Sequence, residues 1–364
     1  MVSRHLKHSH LGWLHPSRGL LLCTFILSAI GLLFVFEASV VEAFNNFGDQ
    51  YHFLRLQAIR FAIGTAAMIF AYFIPMTFWQ KLAPWLYGIG ILLLITVFIP
   101  GLSREINGAY RWILLGPIRF QPIEYVKLGV VLFFASWMSQ HQRFLPFLFL
   151  TILPVILVMF QPDLGSVLIL LAISFTMYFL AGGELKTFFS ISALGVLGLA
   201  LLIALSPYRM RRVTTFLNPE SDPLGASFHI RQITLALGNG GWFGLGIGNS
   251  RQKFSYIPEA STDSIFAIVA EEVGFVGSSL IISLFMLYLW FGFRMVAQAE
   301  VPLFNKLVGY GILIWITSQI ILNLSAVLAL VPLTGVPLPF FSYGGSSLVM
   351  ILFATGILIR STKS

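Results

Sequence analysis

Residues Gly19–Phe36 read GLLLCTFILSAIGLLFVF, an apolar run that contains no charged side chain. A transmembrane helix needs about 20 such residues, because each residue advances the helix by about 1.5 Å through a hydrocarbon layer of about 30 Å. The apolar core of a secretory signal is shorter, at about 7–15 residues. The sequence therefore predicts a retained first membrane span.

Similar runs continue along the chain and determine its class. Of the 364 residues, 57% are hydrophobic and 10% are charged, whereas charged residues make up roughly a quarter of a soluble domain. The sequence predicts an all-α polytopic membrane protein with about ten transmembrane helices. The nine predicted spans that follow the first are Phe53–Ile74, Leu82–Ile99, Phe120–Trp137, Phe144–Phe160, Leu164–Ala181, Phe188–Leu205, Ser264–Phe293, Leu307–Leu330 and Tyr343–Ile359.

Basic residues in short connections predict the orientation, because such residues tend to stay in the cytoplasm. We expect a single membrane domain over residues 1–364, with cytoplasmic tails at 1–18 and 360–364. Residues 206–263 then form a long extracytoplasmic loop between the seventh and eighth spans. This loop is basic, which suits either anionic lipid head groups or a substrate that carries a pyrophosphate.

The distribution of charge and of metal-binding residue types argues against a nucleic-acid interface and against a metal site. The formal net charge of +8 is divided between the two membrane faces, so nucleic acid is not an expected partner. No Cys/His cluster has the spacing of zinc ligands, so no metal site built from protein ligands is expected.

Charged residues inside the fourth span are the first candidates for function, because burying a charge in lipid costs at least about 2.5–3.5 kcal/mol. Glu124 and Lys127 are three residues apart and can pair on one helix face. Upstream, Arg111 and Arg119 lie at the predicted outer mouth of the same helix, and arginine matches the geometry of phosphate. An ion pair that only locks two helices is the alternative interpretation of Glu124 and Lys127.

Two further acids lie at predicted outer ends of spans. Asp163 follows Pro162 and precedes the sixth span, where capping of the helix would explain it. The stretch Tyr256–Gly274, YIPEASTDSIFAIVAEEVG, runs from a polar loop into the eighth span. Thr262 or Asp263 can cap that helix, or Asp263 can take part in chemistry on an amphiphilic substrate.

Two glycine-rich motifs carry weaker signals. Residues Gly238–Asn249 contain GxGxG, but no strand–helix–strand pattern surrounds them, so a dinucleotide site is not predicted. We expect a re-entrant or membrane-surface segment that packs closely. Residues Gly335–Ser347, GVPLPFFSYGGSS, enter the tenth span with small and hydroxyl side chains, for which close helix packing is the simplest explanation.

Taken together, several long motifs resemble the SEDS family (shape, elongation, division and sporulation). The blocks that carry the resemblance are NGAYRWILLGPIRFQPIEYVKL, FQPDLGS, FLNPESDPLGASFHIRQ, YIPEASTDSIFAIVAEEVG and GVPLPFFSYGGSS, in this order on ten apolar spans. The resemblance covers nearly the whole chain. Two of the phrases are more similar to the division-type members (FtsW) than to the elongation-type members (RodA).

The resemblance implies a peptidoglycan glycosyltransferase that polymerises lipid II at the outer face of the bacterial cytoplasmic membrane. It implies Asp263 as the catalytic base and a class B penicillin-binding transpeptidase as partner, besides membrane lipids. No cofactor is firmly expected, although a divalent cation, Mg²⁺ or Mn²⁺, could assist without a dedicated protein cage. The candidate substrate-binding residues are Arg111, Arg119, Glu124, Lys127, Asp163, Arg212, Gln232, Lys253, Glu259 and Ser342.

The sequence departs from the common family pattern on both sides of the expected base. Ser261 stands where His or another polar residue is frequent, and Ser264 stands where Phe is frequent. Two other functions stay open at this point. A flippase would carry lipid II across the bilayer with the charges of the fourth span, and a scaffold would only recruit the transpeptidase.

Overall fold

The computed structural model describes residues 15–106, 109–115, 118–141, 143–184, 186, 193, 195, 197–198, 204, 206–218, 227–252 and 261–363. Its helices confirm the all-α polytopic class. They are α1 Pro16–Phe47, α2 His52–Phe73, α3 Met76–Thr96, α4 Pro122–Met138, α5 Phe144–Met159, α6 Leu164–Leu180, α7 Pro207–Leu217, α8 Phe228–Gly240, α9 Ile265–Gln298, α10 Leu303–Val327 and α11 Gly345–Ser361.

Five of these helices, α1, α2, α3, α9 and α10, are long and apolar enough to cross a membrane, and α5, α6 and α11 are shorter apolar helices. The predicted seventh span, Phe188–Leu205, lies largely outside the described residues, so the count of ten stays a prediction. The predicted long loop contains α7 and α8. Pro122 occupies the first turn of α4, where its missing N–H leaves no hydrogen bond unmade.

A small antiparallel sheet, which the sequence analysis did not anticipate, lies between α3 and α4. Its strands are β1 Ser103–Ile106, β2 Ala109–Leu115 and β3 Ile118–Phe120, in the order β1-β2-β3. Ile106 pairs with Ala109 and Leu115 with Ile118, so the paired strand ends are close in sequence. The sheet leads directly into α4 and presents two of the candidate arginines above it.

Small residues bring the helix backbones together, as is common inside membranes. The most extensive contact joins α2 and α11. There Gly356 lies so close to α2 that a Cβ atom on it would be 2.2 Å from the carbonyl oxygen of Met68. Gly31 of α1 has the same relation to the carbonyl oxygen of Phe340. Any larger residue at these positions would push two elements apart.

Helix α9 contains one non-helical residue, Gly274, with φ 66° and ψ −166°. At this point α9 exchanges backbone hydrogen bonds with the glycine-rich turn, which we define as residues 240–250. Leu245 and Gly246 donate to the carbonyls of Glu271 and Glu272, both at 3.0 Å. In return, the N–H groups of α9 just after Gly274 donate to carbonyls of the turn. The glycine-rich turn therefore packs closely against α9, as expected. It meets the helix at the break at Gly274 and supplies hydrogen-bond partners for the backbone there.

The close contact at Gly356 gives a direct test of the helix packing. We expect Gly356→Ala to destabilise the protein by about 1–3 kcal/mol, because overpacking forces backbone shifts. Gly88→Ala is the matched control, since a Cβ atom at Gly88 meets nothing within 4 Å. Thermal unfolding in detergent measures both variants. Equal melting temperatures for the two would contradict the described α2–α11 contact.

Candidate active site

A cavity of about 650 Å³ lies at the end of the bundle that carries the sheet, α7 and α8. We call it the arginine cavity. Its described lining includes five arginines and one carboxylate, that of Asp263. The lining residues are Arg60, Arg111, Trp112, Arg119, Gln121, Arg211, Arg212, Thr215, His229, Ile230, Thr262, Asp263, Leu333, Gly335, Pro337, Tyr343, Gly344, Gly345 and Ser347.

Asp263 is half-buried in the last turn of chain before α9. Its Oδ1 atom accepts a hydrogen bond from the Thr262 hydroxyl at 3.2 Å. The interpretation that Thr262 or Asp263 caps α9 is wrong, because Ser264 occupies the N-cap position. A turn of chain precedes the helix there, and this extra turn sends the Asp263 side chain into the cavity.

Arg111 and Asp263 face each other across a glycine. A Cβ atom on Gly335 would lie 3.8 Å from both Arg111 Nη1 and Asp263 Oδ2. Arg111 is held by the chain before α6, because its Nε donates to the Gln161 carbonyl at 3.0 Å and its Nη2 to the Pro162 carbonyl. The backbone of β2 and these two carbonyls thus fix the guanidinium beside the carboxylate.

Two more of the predicted arginines line the same cavity. Arg119 is exposed on β3. Arg212 is exposed on α7, and its Nη1 donates to the Leu333 carbonyl at 3.1 Å. Although α7 begins 87 residues after β3 ends, the fold brings all three predicted arginines to the lining of one cavity.

Glu124 and Lys127 lie deeper, and neither lines the cavity. The Lys127 ammonium donates to Glu124 Oε1 at 2.7 Å, and both residues are 1% exposed. Lys127 also donates to Gln319 Oε1 at 3.1 Å and lies 5.4 Å from the centre of the Trp315 ring. The pair therefore neutralises itself within the bundle, as the ion-pair interpretation expects.

A polar stripe on α10, which the sequence analysis missed, connects this ion pair to the cavity wall. Gln319 donates from Nε2 to the Pro337 carbonyl at 2.9 Å. One turn further, Asn323 donates from Nδ2 to the carbonyls of Asp263 at 2.8 Å and Val336 at 2.7 Å. The stripe thus ties the backbone at Asp263 to the loop that contains Gly335. Two buried amides four residues apart in an apolar run are the signal that could have revealed it.

The remaining predicted site residues are not among the described residues that line the cavity. Asp163 caps α6 by accepting from the Ser166 amide at 3.1 Å and from its hydroxyl at 2.8 Å. Ser342 is buried and accepts from the Leu338 amide at 2.7 Å, which shapes the loop before α11. Gln232 is half-buried on α8 and is not among the lining residues. Lys253 and Glu259 lie outside the described residues.

Arg60 and His229 are two of the lining residues that were not predicted from the sequence. Arg60 lies inside the predicted second span, and a charged residue in an apolar run is a signal that could have identified it. Its guanidinium lies 4.5 Å from the Tyr343 ring centre, and its buried Nη1 atom has no hydrogen-bond partner among the described residues. His229 of α8 shares a hydrogen bond of 2.8 Å with the Ser264 hydroxyl. It therefore contacts the unusual serine that follows Asp263.

This arrangement suits group transfer from a phosphorylated substrate. A carboxylate can accept the proton of an attacking hydroxyl. Arginine side chains can form paired, charge-assisted hydrogen bonds with the oxygens of a departing phosphate or diphosphate. Among the described residues, no group of three His, Cys, Asp or Glu side chains is placed to hold a metal ion. The described lining carries the positive charge of five arginines.

Comparison with known proteins shows the family of the chain. Residues 18–364 match the cell cycle protein family that comprises FtsW, RodA and SpoVE. The chain belongs to this family. The resemblance noted from the sequence motifs is therefore confirmed over almost the whole chain.

Individual relatives and solved structures show the same. Stage V sporulation protein E of Bacillus subtilis is 39% identical over 96% of this chain and 97% of its own length. The probable peptidoglycan glycosyltransferase FtsW of Nitrosomonas europaea is 38% identical over 99% of this chain and 96% of its own length.

A chain of a peptidoglycan synthase complex, described for its coordination of polymerization and crosslinking, superposes with a TM-score of 0.77 at 30% identity, covering 96% of this chain and 98% of that chain. Thermus thermophilus RodA superposes with a TM-score of 0.69 at 27% identity, covering 96% and 97%.

The buried ion pair predicts an asymmetric response to mutation. Lys127→Met leaves the Glu124 carboxylate buried without its counter-charge, which should destabilise the protein by about 3–5 kcal/mol. Combining it with Glu124→Gln removes both charges and should recover much of that loss. Thermal unfolding of both variants in detergent measures the difference. A double variant that is no more stable than Lys127→Met would show that the charge pair is not the reason for the loss.

Proposed function

We propose that this chain is a peptidoglycan glycosyltransferase that polymerises lipid II, with Asp263 as general base. The observation that carries the proposal is the position of Asp263 opposite Arg111 in a cavity whose described lining holds four further arginines. Membership of the FtsW, RodA and SpoVE family and the names of the glycosyltransferase relatives support it.

The proposed location is the outer face of the bacterial cytoplasmic membrane. Basic residues in the short connections favour cytoplasmic termini, and in that orientation the arginine cavity lies on the outer side. Lipid II presents its sugars at this face, attached through a diphosphate to a polyprenyl chain in the bilayer. A cavity at one end of a helical bundle can receive the sugars and diphosphate while the polyprenyl chain stays in lipid.

The proposed reaction forms one glycosidic bond and breaks one phosphate ester bond. The 4-hydroxyl of the GlcNAc of one lipid II attacks C1 of the MurNAc at the lipid-linked end of the growing chain. Asp263 takes the hydroxyl proton, and the bond from C1 to the polyprenyl diphosphate breaks with its electrons on the diphosphate. That leaving group needs neutralisation by positive charge more than it needs a proton, so one carboxylate suffices where glycoside hydrolysis uses two.

The charge of the cavity suits two lipid substrates. The growing chain and the incoming lipid II each carry a diphosphate, and the reaction brings both to one site. Five described arginines against one carboxylate provide a large excess of positive charge. We assign Arg111 and Arg212 to the diphosphate nearest Asp263. Arg60, with its unpartnered Nη1, extends the binding surface toward α2 and the bilayer.

A second protein belongs to the proposal. The solved relative in a peptidoglycan synthase complex couples polymerization with crosslinking, which supports a class B penicillin-binding transpeptidase as the partner of this chain. The FtsW names among the relatives favour a role in cell division. A flippase that moves lipid II through the fourth span is less well supported, because Glu124 and Lys127 are buried, paired and bonded to Gln319.

Neutralising the proposed base tests the mechanism directly. Asp263→Asn keeps the shape of the side chain but cannot accept the proton, so polymerisation should fall by about 10²–10⁴-fold. Asp49→Asn is the matched control, because Asp49 is a surface carboxylate paired with Arg55 at 3.1 Å. The assay measures glycan made from labelled lipid II by the purified protein with its transpeptidase. Product from Asp263→Asn at the rate of the unchanged protein would refute the base assignment.

Arg60 provides a separate test of substrate binding. Arg60→Met should raise the KM for lipid II about 10-fold or more, since a hydrogen bond to a charged group contributes about 1.5–3 kcal/mol. Arg55→Met, on the same helix but 68% exposed in its side chain, should leave KM unchanged. Steady-state kinetics with labelled lipid II measure both. An unchanged KM in Arg60→Met would remove Arg60 from the binding surface.

A further inference from the structure

The glycine-rich turn exposes large apolar side chains. Phe243 is 82% exposed, Trp242 69% and Ile247 58%. Phe275, the first residue of α9 after Gly274, lies beside them with 61% exposed, and its ring meets that of Trp242 edge-on at 5.3 Å. Contiguous apolar surface of this kind normally marks an interaction with a protein or a membrane.

The outward face of α9 indicates where this patch lies relative to the bilayer. Leu280, Leu287 and Trp290 form an exposed apolar stripe that continues downward from Phe275. At the far end of the stripe, the Arg294 guanidinium lies over the Trp290 ring at 5.0 Å. Tryptophan next to a basic residue is typical of a membrane–water boundary. Phe275 precedes Arg294 by nineteen residues, or about 28 Å of helix, which nearly equals a hydrocarbon thickness of about 30 Å.

Backbone hydrogen bonds hold the glycine-rich turn at the level of Phe275. The Phe275 amide donates to the Gly241 carbonyl at 2.9 Å, and the Val276 amide donates to the Trp242 carbonyl at 3.0 Å. Trp242 and Phe243 therefore cannot move along α9 without breaking these bonds. Their rings lie at the end of the exposed stripe opposite to Trp290 and Arg294.

We propose that the glycine-rich turn is a membrane anchor, with Trp242, Phe243 and Ile247 inserted into the lipid leaflet on the side of the arginine cavity. A lipid surface, rather than a protein, is the partner, because the patch continues the lipid-facing stripe of α9 at the depth of the head groups. Aromatic side chains favour that depth. Arg251, exposed just after the turn, is placed to reach lipid phosphates.

The anchor has a consequence for the site. Asp263 lies just before α9, and the nine residues Ile265–Val273 form a helical spacer of about 14 Å between it and Gly274. Because the turn is bonded to α9 at the base of this spacer, inserting its side chains into lipid fixes the height of Asp263 above the hydrocarbon. A substrate whose own anchor lies in the same leaflet then meets the carboxylate at a set distance from the bilayer.

Site-directed fluorescence tests the depth of the turn in the intact protein. Cys23 is the single cysteine and is buried, so Cys23→Ala gives a background for one reactive thiol at a time. Phe243→Cys carries a bimane label in nanodiscs, with quenchers attached to phospholipids near the head group or deep in the acyl chain, and with iodide in water. Leu280→Cys and Asp49→Cys serve as the deep and the aqueous controls.

We expect the Phe243→Cys label to lose emission mainly to the shallow lipid quencher, the Leu280→Cys label to the deep quencher, and the Asp49→Cys label to iodide. A Phe243→Cys label that responds like Asp49→Cys would overturn the proposal. So would a label that the purified transpeptidase shields from every quencher, since a protein would then cover the patch.

A second measurement avoids the influence of the label on insertion. A photoreactive benzophenone amino acid in place of Phe243 should crosslink to radiolabelled phospholipid, as the same residue in place of Leu280 does. Lipid adducts at Leu280 but none at Phe243 would contradict the anchor. Adducts of Phe243 with the transpeptidase alone would assign the patch to that protein instead.

Discussion

Inside a bilayer, every backbone and side-chain polar group must find its partner within the protein, and this constraint governs the structure from the helices to the site. The constraint explains why Gly274 can break α9 without loss, because the glycine-rich turn accepts and donates the hydrogen bonds that the helix gives up. It also explains why Glu124 and Lys127 occur together and why Gln319 completes the coordination of the ammonium. Lys127, Glu124 and Gln319 thus form one hydrogen-bonded set, although other buried atoms, among them Glu124 Oε2 and Asn323 Oδ1, have no hydrogen-bond partner among the described residues.

The arginine cavity is the place where this constraint is relaxed. Arginines there outnumber carboxylates, and some of them, such as Arg119, remain exposed. Such an excess of like charge is unfavourable for the empty protein and favourable once an anion binds. The fold supports it with rigid elements, since Arg111 is held by two carbonyls and the Asp263 backbone by Asn323. These hydrogen bonds to Arg111 and to the Asp263 backbone thus position the charged side chains that line the cavity.

Much of this could be predicted from the sequence. Nine of the ten predicted apolar runs correspond to described helices, because lipid imposes a simple rule of length and composition, and the seventh run lies largely outside the described residues. Charge in unusual places predicted Asp263, Arg111, Arg119 and Arg212, which line one cavity. The three-stranded sheet was missed because strands of three to seven residues between apolar helices leave little periodicity to recognise.

The polar stripe of Gln319 and Asn323 was missed for a different reason. Its function depends on which backbone carbonyls the folded loops bring to α10, and no local pattern encodes that. The helix start at Ile265 depended on similar detail, since Ser264 rather than Thr262 or Asp263 takes the N-cap position. Arg60 was not predicted, although it is a charged residue inside a predicted span, as Glu124 and Lys127 are.

The break at Gly274 also bears on how the chain is made. Residues Phe275 to Gln298 form 24 residues of helix, or about 36 Å, enough to cross the hydrocarbon alone. The insertion machinery can therefore release this part as a complete span before the upper turns of α9 exist in their final form. Those upper turns, which follow Asp263, depend instead on the glycine-rich turn, whose amides donate to the carbonyls of Glu271 and Glu272. The two parts of α9 are thus stabilised separately, the span by its apolar length and the part next to Asp263 by contacts within the protein.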